Sequence, residues 1–546
     1  MRILFVYPNL NTQMGFNHGL AVISACLKAD GHETRLVNLN ENLPPVPTRD
    51  AVLADVLAWR PRIIAASCLS QQYEEARGLV EWLRARLSER GAPLPVFVVG
   101  GVHPTMVPEA VMRDGVWDHV AVGECEHAMV ELARRVEAGG DLVDVPNFLS
   151  WKPGRERVEG NWVRSPVGPF PPLDELPMAD YALFDTQRIL DAKDGWAGIL
   201  TSRGCPYRCT YCLNHEVIDT YRKDRATPAS KLGFFRFREP EDVLDEMRYV
   251  LANYERVKTF ILDDDLFTQN VEHALRFCAA YEASELEVPF VVNAHVKQLD
   301  ERVAHALKRA GCTILKMGIE SGSPRVRKEV LMRPMSDRDI FETVRLAEEA
   351  GLHSSGFVMV GLPGETRAER METVDLLARA RIGRFRTSLF YPFPGTAAFD
   401  LSVQGGYIDP DKVERLTDFT ESSCLDFGPV ENLFIDKLAA CMPWFVNARL
   451  ARAREVSLAE APASKRYAQI VADVEAMDAA EWRRFKPKVR EHDASLARAA
   501  VRAGEEHYAI KYNAFMGVRD DYYLGEQGRT RGSDEWVTAA AKPVGK

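Results

Sequence analysis

The chain has 546 residues, 46% hydrophobic and 27% charged, an ordinary globular balance; at about 150 residues per domain it holds three or four domains. A net charge of −10 gives no basic footprint, which argues against nucleic acid as the main partner. No apolar run approaches the roughly 20 residues of an integral membrane segment, and the ten cysteines, scattered outside one cluster, form no disulfide framework, so reduced thiols in the cytoplasm are expected.

Met1 leads straight into Arg-Ile-Leu-Phe-Val-Tyr (2–7), a buried-strand pattern with no room for a signal peptide. Further strands read at 34–38, 62–67, 96–100 and 119–122, separated by amphipathic helices, the first near 19–30. This alternation predicts an α/β fold with a doubly wound, Rossmann-like parallel sheet over 1–145. Ligands of such sheets sit at the carboxyl ends of the strands, here the loops 8–16, 70–73, 100–105 and 123–126. Residues 146–190 read as a Pro-rich linker containing Pro169-Phe-Pro-Pro-Leu-Asp-Glu-Leu-Pro177.

A second alternation occupies 191–405, with strands at 197–203, 257–263, 289–294, 313–319, 356–361 and 385–391. Six strand–helix units predict an incomplete (β/α)6 barrel, whose chemistry lies at the carboxyl ends of its strands. Just past the first strand stands Gly204-Cys-Pro-Tyr-Arg-Cys-Thr-Tyr-Cys, placing Cys205, Cys209 and Cys212 in a Cys-x-x-x-Cys-x-x-Cys spacing. Three thiolates can hold three irons of a [4Fe–4S] cluster and leave the fourth open to a small molecule. A zinc site with His215 as fourth ligand, or a set of structural cysteines, is the alternative.

The later strand ends carry Asp263-Asp-Asp265, Asn293-Ala-His295, Gly318-Ile-Glu-Ser-Gly-Ser323, Gly361-Leu-Pro-Gly-Glu-Thr366 and Tyr391-Pro-Phe-Pro-Gly-Thr396. Singly, each fits a helix cap or a turn; in succession they mark a site. From 406 to 546 the chain reads as a mainly helical cap or substrate domain, with Trp444, Phe445 and Trp482 and an aromatic tail of Tyr508, Tyr512, Phe515, Tyr522 and Tyr523. The last ten residues read as frayed, and Met442-Pro-Trp-Phe-Val as a buried helix edge.

The cysteine spacing, Tyr211 before the last cysteine, and the order of strand-end motifs over about 195–400 resemble the radical S-adenosylmethionine (SAM) superfamily. The resemblance implies that the open iron chelates SAM and that the reduced cluster cleaves it to a 5′-deoxyadenosyl radical. It also implies SAM contacts from Tyr211, from Glu320, Ser321 and Ser323, from Gly361 and the loop to Glu365, and from one aspartate of 263–265, taken as Asp264. His295 stands where many relatives carry Arg, and with Tyr391 it is a candidate substrate contact.

The doubly wound domain ahead of the barrel is similar to that of cobalamin-binding radical SAM enzymes. The likeness rests on Gly100-Gly-Val-His-Pro-Thr105, on Val122-Gly-Glu-Cys-Glu126, where Cys125 replaces a glycine, and on the Leu-Asp-Glu-Leu-Pro connector. It implies cobalamin contacts from Ser70, Gly100, Gly101, His103, Thr105, Gly123 and Glu124. An Asp-x-His-x-x-Gly motif is absent, so the lower face of cobalt would be covered by Asn9, Leu10, Asn11 or Thr12.

The activity so implied is C-methylation of an unactivated carbon in a small or medium-sized substrate, by way of the radical and methylcobalamin. The alternative is a non-methylating cyclase or rearrangement enzyme, like the magnesium-protoporphyrin monomethyl ester cyclase. An electron donor such as flavodoxin or ferredoxin is the implied partner. A methylthiotransferase would carry a second cluster on Cys26, Cys68 and Cys125, but Cys26 falls in an apolar helix run and no basic RNA-binding module closes the chain. A non-catalytic cobalamin or SAM sensor would have no use for an open-iron cluster.

Overall fold

Strand β1 (Arg2–Tyr7) buries Ile3, Leu4, Phe5 and Val6 in succession, as a strand covered on both faces must. The computed structural model describes residues 1–10, 14–408, 423–511 and 516–519. Around β1 lie β2 (Glu33–Asn38), β3 (Ile63–Ser67), β4 (Val96–Gly100), β5 (His119–Ala121), β6 (Phe148–Trp151) and β7 (Trp162–Arg164). They form one sheet of order β2-β1-β3-β4-β5-β6-β7, parallel through β5 and antiparallel beyond.

Successive side chains point to opposite faces. Leu4, Val6, Ile64, Ala66, Phe97 and Val99 therefore build one core with the helices Arg49–Trp59 and Tyr73–Glu89. Ile3, Phe5, Ala65 and Val98 build the other with His18–Ala29 and Glu126–Ala138. This is the expected doubly wound arrangement, each fully buried aliphatic contributing roughly 1.5–3 kcal/mol. Its switch point, where strand order reverses, falls between β1 and β3.

Two compact units divide the chain: residues 1–265 with 283–289 and 393–399, and residues 266–282, 290–392 and 400–546. The first unit also holds β8 (Trp196–Ile199) paired in parallel with β11 (Thr259–Leu262), and β9 (Ser202–Arg203) antiparallel to β10 (Arg236–Phe237). The second carries the consecutive parallel strands β12 (Phe290–Ala294), β13 (Cys312–Glu320), β14 (His353–Val360) and β15 (Arg384–Leu389), alternating with helices. All six parallel strands expected of the incomplete barrel are thus present.

Within the Pro-rich connector after 145, β6 buries all four of its residues and with β7 extends the first sheet. The region after 405 is mainly helical as expected, and near its end β17 (Met516–Arg519) pairs antiparallel with β15 while β16 (Tyr508–Lys511) pairs antiparallel with β17. Tyr508 and Ile510 are buried there, and a side chain at Gly517 would reach within 2.4 Å of the Phe385 ring, so only glycine permits that approach.

The helical region includes Pro429–Ala453, which leaves helical angles at Cys441, two residues before Pro443. Met442, Trp444 and Phe445 are buried in it, and the Trp444 indole donates to Asp493 at 2.7 Å. Among the described residues no helix is long and apolar enough to cross a membrane. Tyr512, Phe515, Tyr522, Tyr523 and the last ten residues lie outside the described residues, as do Asn11 and Thr12.

Candidate active site: a cavity beside the three-cysteine loop

A cavity of about 470 Å³ opens in the first unit at the carboxyl ends of β1, β3, β4 and β5. Small residues (Ala65, Ala66, Gly100, Gly101 and Ala121) line it along the sheet, leaving a slot that larger side chains would fill. Gly101 (φ +96°) has no room for a Cβ, which would stand 2.7 Å from the Cys68 carbonyl oxygen. Gly123 (φ +76°) is equally confined, 2.5 Å from the Tyr221 hydroxyl by the same measure. The Thr105 hydroxyl accepts from the Gly123 N–H at 3.1 Å and so fixes the turn.

His103 does not line the cavity. Its Nδ1 pairs with the Ser70 hydroxyl at 3.1 Å, its ring lies 4.6 Å from that of Tyr73, and burial pushes its pKa down to about 4. Asn9 is buried and accepts from Gln72 Nε2 at 3.4 Å, and Gln72 does face the cavity. Leu10 packs on the core beneath. Cys68 and Cys125 are buried in the cavity wall, while Cys26 lies in the helix His18–Ala29.

The opposite wall comes from the start of the barrel: Leu200, Ser202, Arg203, Gly204, Leu213 and Asn214, the residues that bracket the cysteines. Asp264 is fully buried and fixes this entry, accepting from Thr201 N at 2.7 Å, Ser202 N at 3.1 Å, Ser202 Oγ at 2.8 Å and the Thr201 hydroxyl. Its neighbours Asp263 and Asp265 line the cavity instead. Burial raises the Asp265 pKa, against hydrogen bonds from Asn214 and the Gly204 backbone.

Cys209 is buried, with Cys205 and Cys212 half-buried. Burial pushes the Cys212 thiol up to about 12, the Asn214 N–H opposing, and the charges of Asp265, Cys209 and Cys205 raise it further. The three thiols are thus within electrostatic reach of one another. Among the described residues no three Cys, His, Asp or Glu side chains are gathered to share one metal ion. A cubane does not require that, since each cysteine binds its own iron. His215, the zinc alternative's fourth ligand, has its Nε2 against Glu216 at 2.8 Å. The donor set fits an iron–sulfur cluster, whose binding would draw off the thiol protons.

Sequence reading missed Arg203, Arg236 and Tyr221, which meet at Glu124. Arg203 Nη1 donates to Glu124 at 2.9 Å and to Glu126 at 2.6 Å. Arg236 grips both oxygens of Glu124, one at 3.0 Å, and lies 4.9 Å over the Phe170 ring. Burial raises the Glu124 pKa, but the guanidiniums outweigh it and hold the carboxyl below its ordinary value. Tyr221, stacked on Phe170 at 3.8 Å, accepts from the Glu124 N–H at 3.1 Å and from Asn147 at 3.2 Å. The only sequence signal was the arginine immediately before Gly204-Cys205.

In the second unit β13 ends at a register shift, and Glu320 takes φ +67°, an uncommon angle for a residue with a Cβ. Its carboxylate folds back over Gly318. Ser321 is buried, its carbonyl accepting from the buried Arg327 at 2.8 Å, and Ser323 donates to Glu369 at 3.3 Å. Gly361 (φ +78°) donates its N–H to Glu365 Oε2 at 2.9 Å, with Arg370 Nε on the same oxygen at 3.2 Å. Burial raises the Glu365 pKa to about 7, with Arg370 opposing.

His295 is buried, its Nδ1 accepting from Lys297 N at 3.2 Å; burial, then the charges of Arg333 and Lys297, pull its pKa to about 3, so the ring is neutral. Tyr391 is buried, which with the Cys424 charge raises its hydroxyl pKa to about 12. Tyr211 is half-buried in the cysteine loop.

Fold and site together set a three-cysteine loop, whose donors fit an iron–sulfur cluster, beside a cavity at the strand ends of the first sheet. Two family models match the chain: the B12 binding domain over residues 13–133 and the radical SAM superfamily over 199–377. An uncharacterized methyltransferase of Pyrococcus horikoshii is 25% identical over 442 residues, 77% of this chain and 89% of its own. The anaerobic magnesium-protoporphyrin IX monomethyl ester cyclase of Rubrivivax gelatinosus is 21% identical over 78% of this chain and 75% of its own. In fold the chain is similar to the radical SAM methyltransferase TsrM of Kitasatospora setae, solved with tryptophan and a SAM analogue, at a TM-score of 0.58, 21% identity and 74% and 76% coverage. The chain thus combines a B12 binding domain with a radical SAM domain, and its cofactors are a [4Fe–4S] cluster, SAM and cobalamin.

Proposed function

We propose that the protein methylates an unactivated carbon of a small or medium-sized substrate. The observation that carries this reading is the shared cavity wall: residues bracketing the cysteines and the glycine turns of the B12 domain line one space. Bound there, the cofactors supply hydrogen-atom abstraction and a transferable methyl group. The named methyltransferases among the relatives support the same reading.

The residues divide the work as follows. Cys205, Cys209 and Cys212 hold the cluster. Gly100, Gly101 and Gly123 give cobalamin close access to the backbone, with Thr105, Ser70 and His103 bracing that surface. Asp265, beside the cysteines, is a better acceptor for the SAM ammonium than Asp264, whose oxygens are already engaged in holding Thr201 and Ser202. Glu320, Ser321 and Ser323 take the methionine and ribose, and the Gly361 loop, braced by Glu365, takes the adenine; Tyr211 covers the cluster side. His295 and Tyr391 face the substrate.

By domain, 1–145 binds cobalamin, 146–190 links, 191–405 is the barrel and 406–546 shapes the pocket. The protein works in the cytoplasm with flavodoxin or ferredoxin as electron source, on a small-molecule substrate.

The test is anaerobic turnover with methyl-labelled SAM and cobalamin added to the reconstituted protein. Label appearing on cobalamin, with S-adenosylhomocysteine released, supports methylation. Deoxyadenosine without S-adenosylhomocysteine removes methylation and leaves the cyclase-type reading.

A further inference from the structure

Glu124 faces the cavity, yet both of its oxygens are occupied by guanidinium groups. It is poorly disposed to be the simple hydrogen-bonding contact that its position in the Gly-Glu-Cys-Glu turn implied. Its partners locate its role. Arg203 lies two residues before Cys205, and Gly204 between them (φ +97°) is packed so closely that a Cβ would stand 2.5 Å from the Phe234 carbonyl. That linkage has little slack. Tyr221, which accepts from the Glu124 N–H, belongs to the helix Asn214–Arg225, which begins two residues after Cys212. The cluster loop therefore holds one turn of the cobalamin domain from both of its ends.

We propose that Arg203 and Glu124 are a positioning pair that fixes the cluster loop against the cobalamin cavity, so that filling either site strengthens binding at the other. The proposal rests on the cofactor assignment above and adds a coupling to it. Arg203 suits the task because its guanidinium, charged at any working pH, donates from one nitrogen, Nη1, to Glu124 and Glu126 together. Gly123, Glu124, Cys125 and Glu126 line the cavity together with Arg203, so cobalamin held there would bear on the carboxylates that locate Arg203. Assembly of the cluster would in turn settle the segment 203–221 that holds the turn. Such coupling is reciprocal by linkage.

The experiment uses the full chain as wild type, R203M, R203K and E124Q. Hydroxocobalamin is titrated optically before and after anaerobic reconstitution of the cluster, and the reduced cluster's paramagnetic resonance spectrum is recorded with and without cobalamin. Wild type should bind hydroxocobalamin about five-fold or more tightly once the cluster is built, and cobalamin should shift the cluster spectrum. R203M and E124Q should each bring that ratio close to one and remove the spectral shift, with R203K intermediate. Thermal melts control for folding, and R203K carries the comparison if R203M does not fold.

A ratio unchanged in R203M overturns the proposal. So does loss of cobalamin in E124Q alone, which would make Glu124 a direct contact. Wild type that binds no cobalamin under either condition overturns the cofactor assignment beneath it.

Discussion

Replacing Gly101 by alanine tests the cavity floor. Gly101 sits at φ +96° and ψ −167°, a region essentially reserved for glycine, and strain there costs of order 1–3 kcal/mol. The added Cβ would also lie 2.7 Å from the oxygen and 2.8 Å from the nitrogen of Cys68, backbone atoms that cannot swing aside. Overpacking of this kind adds about 1–3 kcal/mol, so G101A should lose about 4 kcal/mol in all. Gly91 provides the control: its φ is +61° and nothing lies within 4 Å of its absent Cβ, so G91A should lose only about 1 kcal/mol. Urea unfolding followed by circular dichroism reads the stabilities, and gel filtration after incubation with hydroxocobalamin reads retention. G101A should unfold well before G91A and fail to carry cobalamin through the column, because Cys68 and Gly101 both line the cavity. If G101A unfolds alongside G91A and keeps its cobalamin, the account of this turn is wrong.

Tyr221→Phe removes the acceptor for Glu124 N and Asn147 Nδ2 and leaves two donors unsatisfied, for a loss of about 2 kcal/mol in the same urea assay. Glu365 is raised from 4.5 to about 7 in the fold, so between those values the folded chain keeps a proton that the unfolded chain has released. Stability should therefore fall by about 3 kcal/mol as pH rises through that window and level off above it, and E365Q should flatten the slope in melts taken across pH. Cys209→Ala should abolish both the iron–sulfur absorption of reconstituted protein and its release of deoxyadenosine from SAM; retention of both would exclude Cys209 as a ligand.

The elements were legible where the signal is local. Four consecutive buried residues in β1 and the glycine-bearing turns follow from composition over a few positions, and so does the cysteine spacing. What escaped depends on partners far along the chain. Glu124 meets Arg203 and Arg236 across 79 and 112 residues, and nothing near Glu124 announces that its charge is matched. The three consecutive aspartates at 263–265 could not be told apart, because the hydroxyls and amides that take up Asp264 lie on the neighbouring strand's exit. The tail strands were hidden by their shortness, four residues each, and by a pairing that runs from β16 to β17 and from β17 to the distant β15.

The ion pairs at Glu124 also determine where the protein can be cut. A fragment ending near residue 190 would retain every strand of the first sheet and look complete by its repeat pattern. It would nevertheless lose both guanidiniums, leaving Glu126, only 3% exposed, and its neighbour Glu124 without their countercharges. Breaking a buried pair in this way costs about 3–5 kcal/mol, enough to unfold a marginal domain. Expression of the cobalamin half on its own should start from a boundary at 265, where the first unit's long continuous stretch ends.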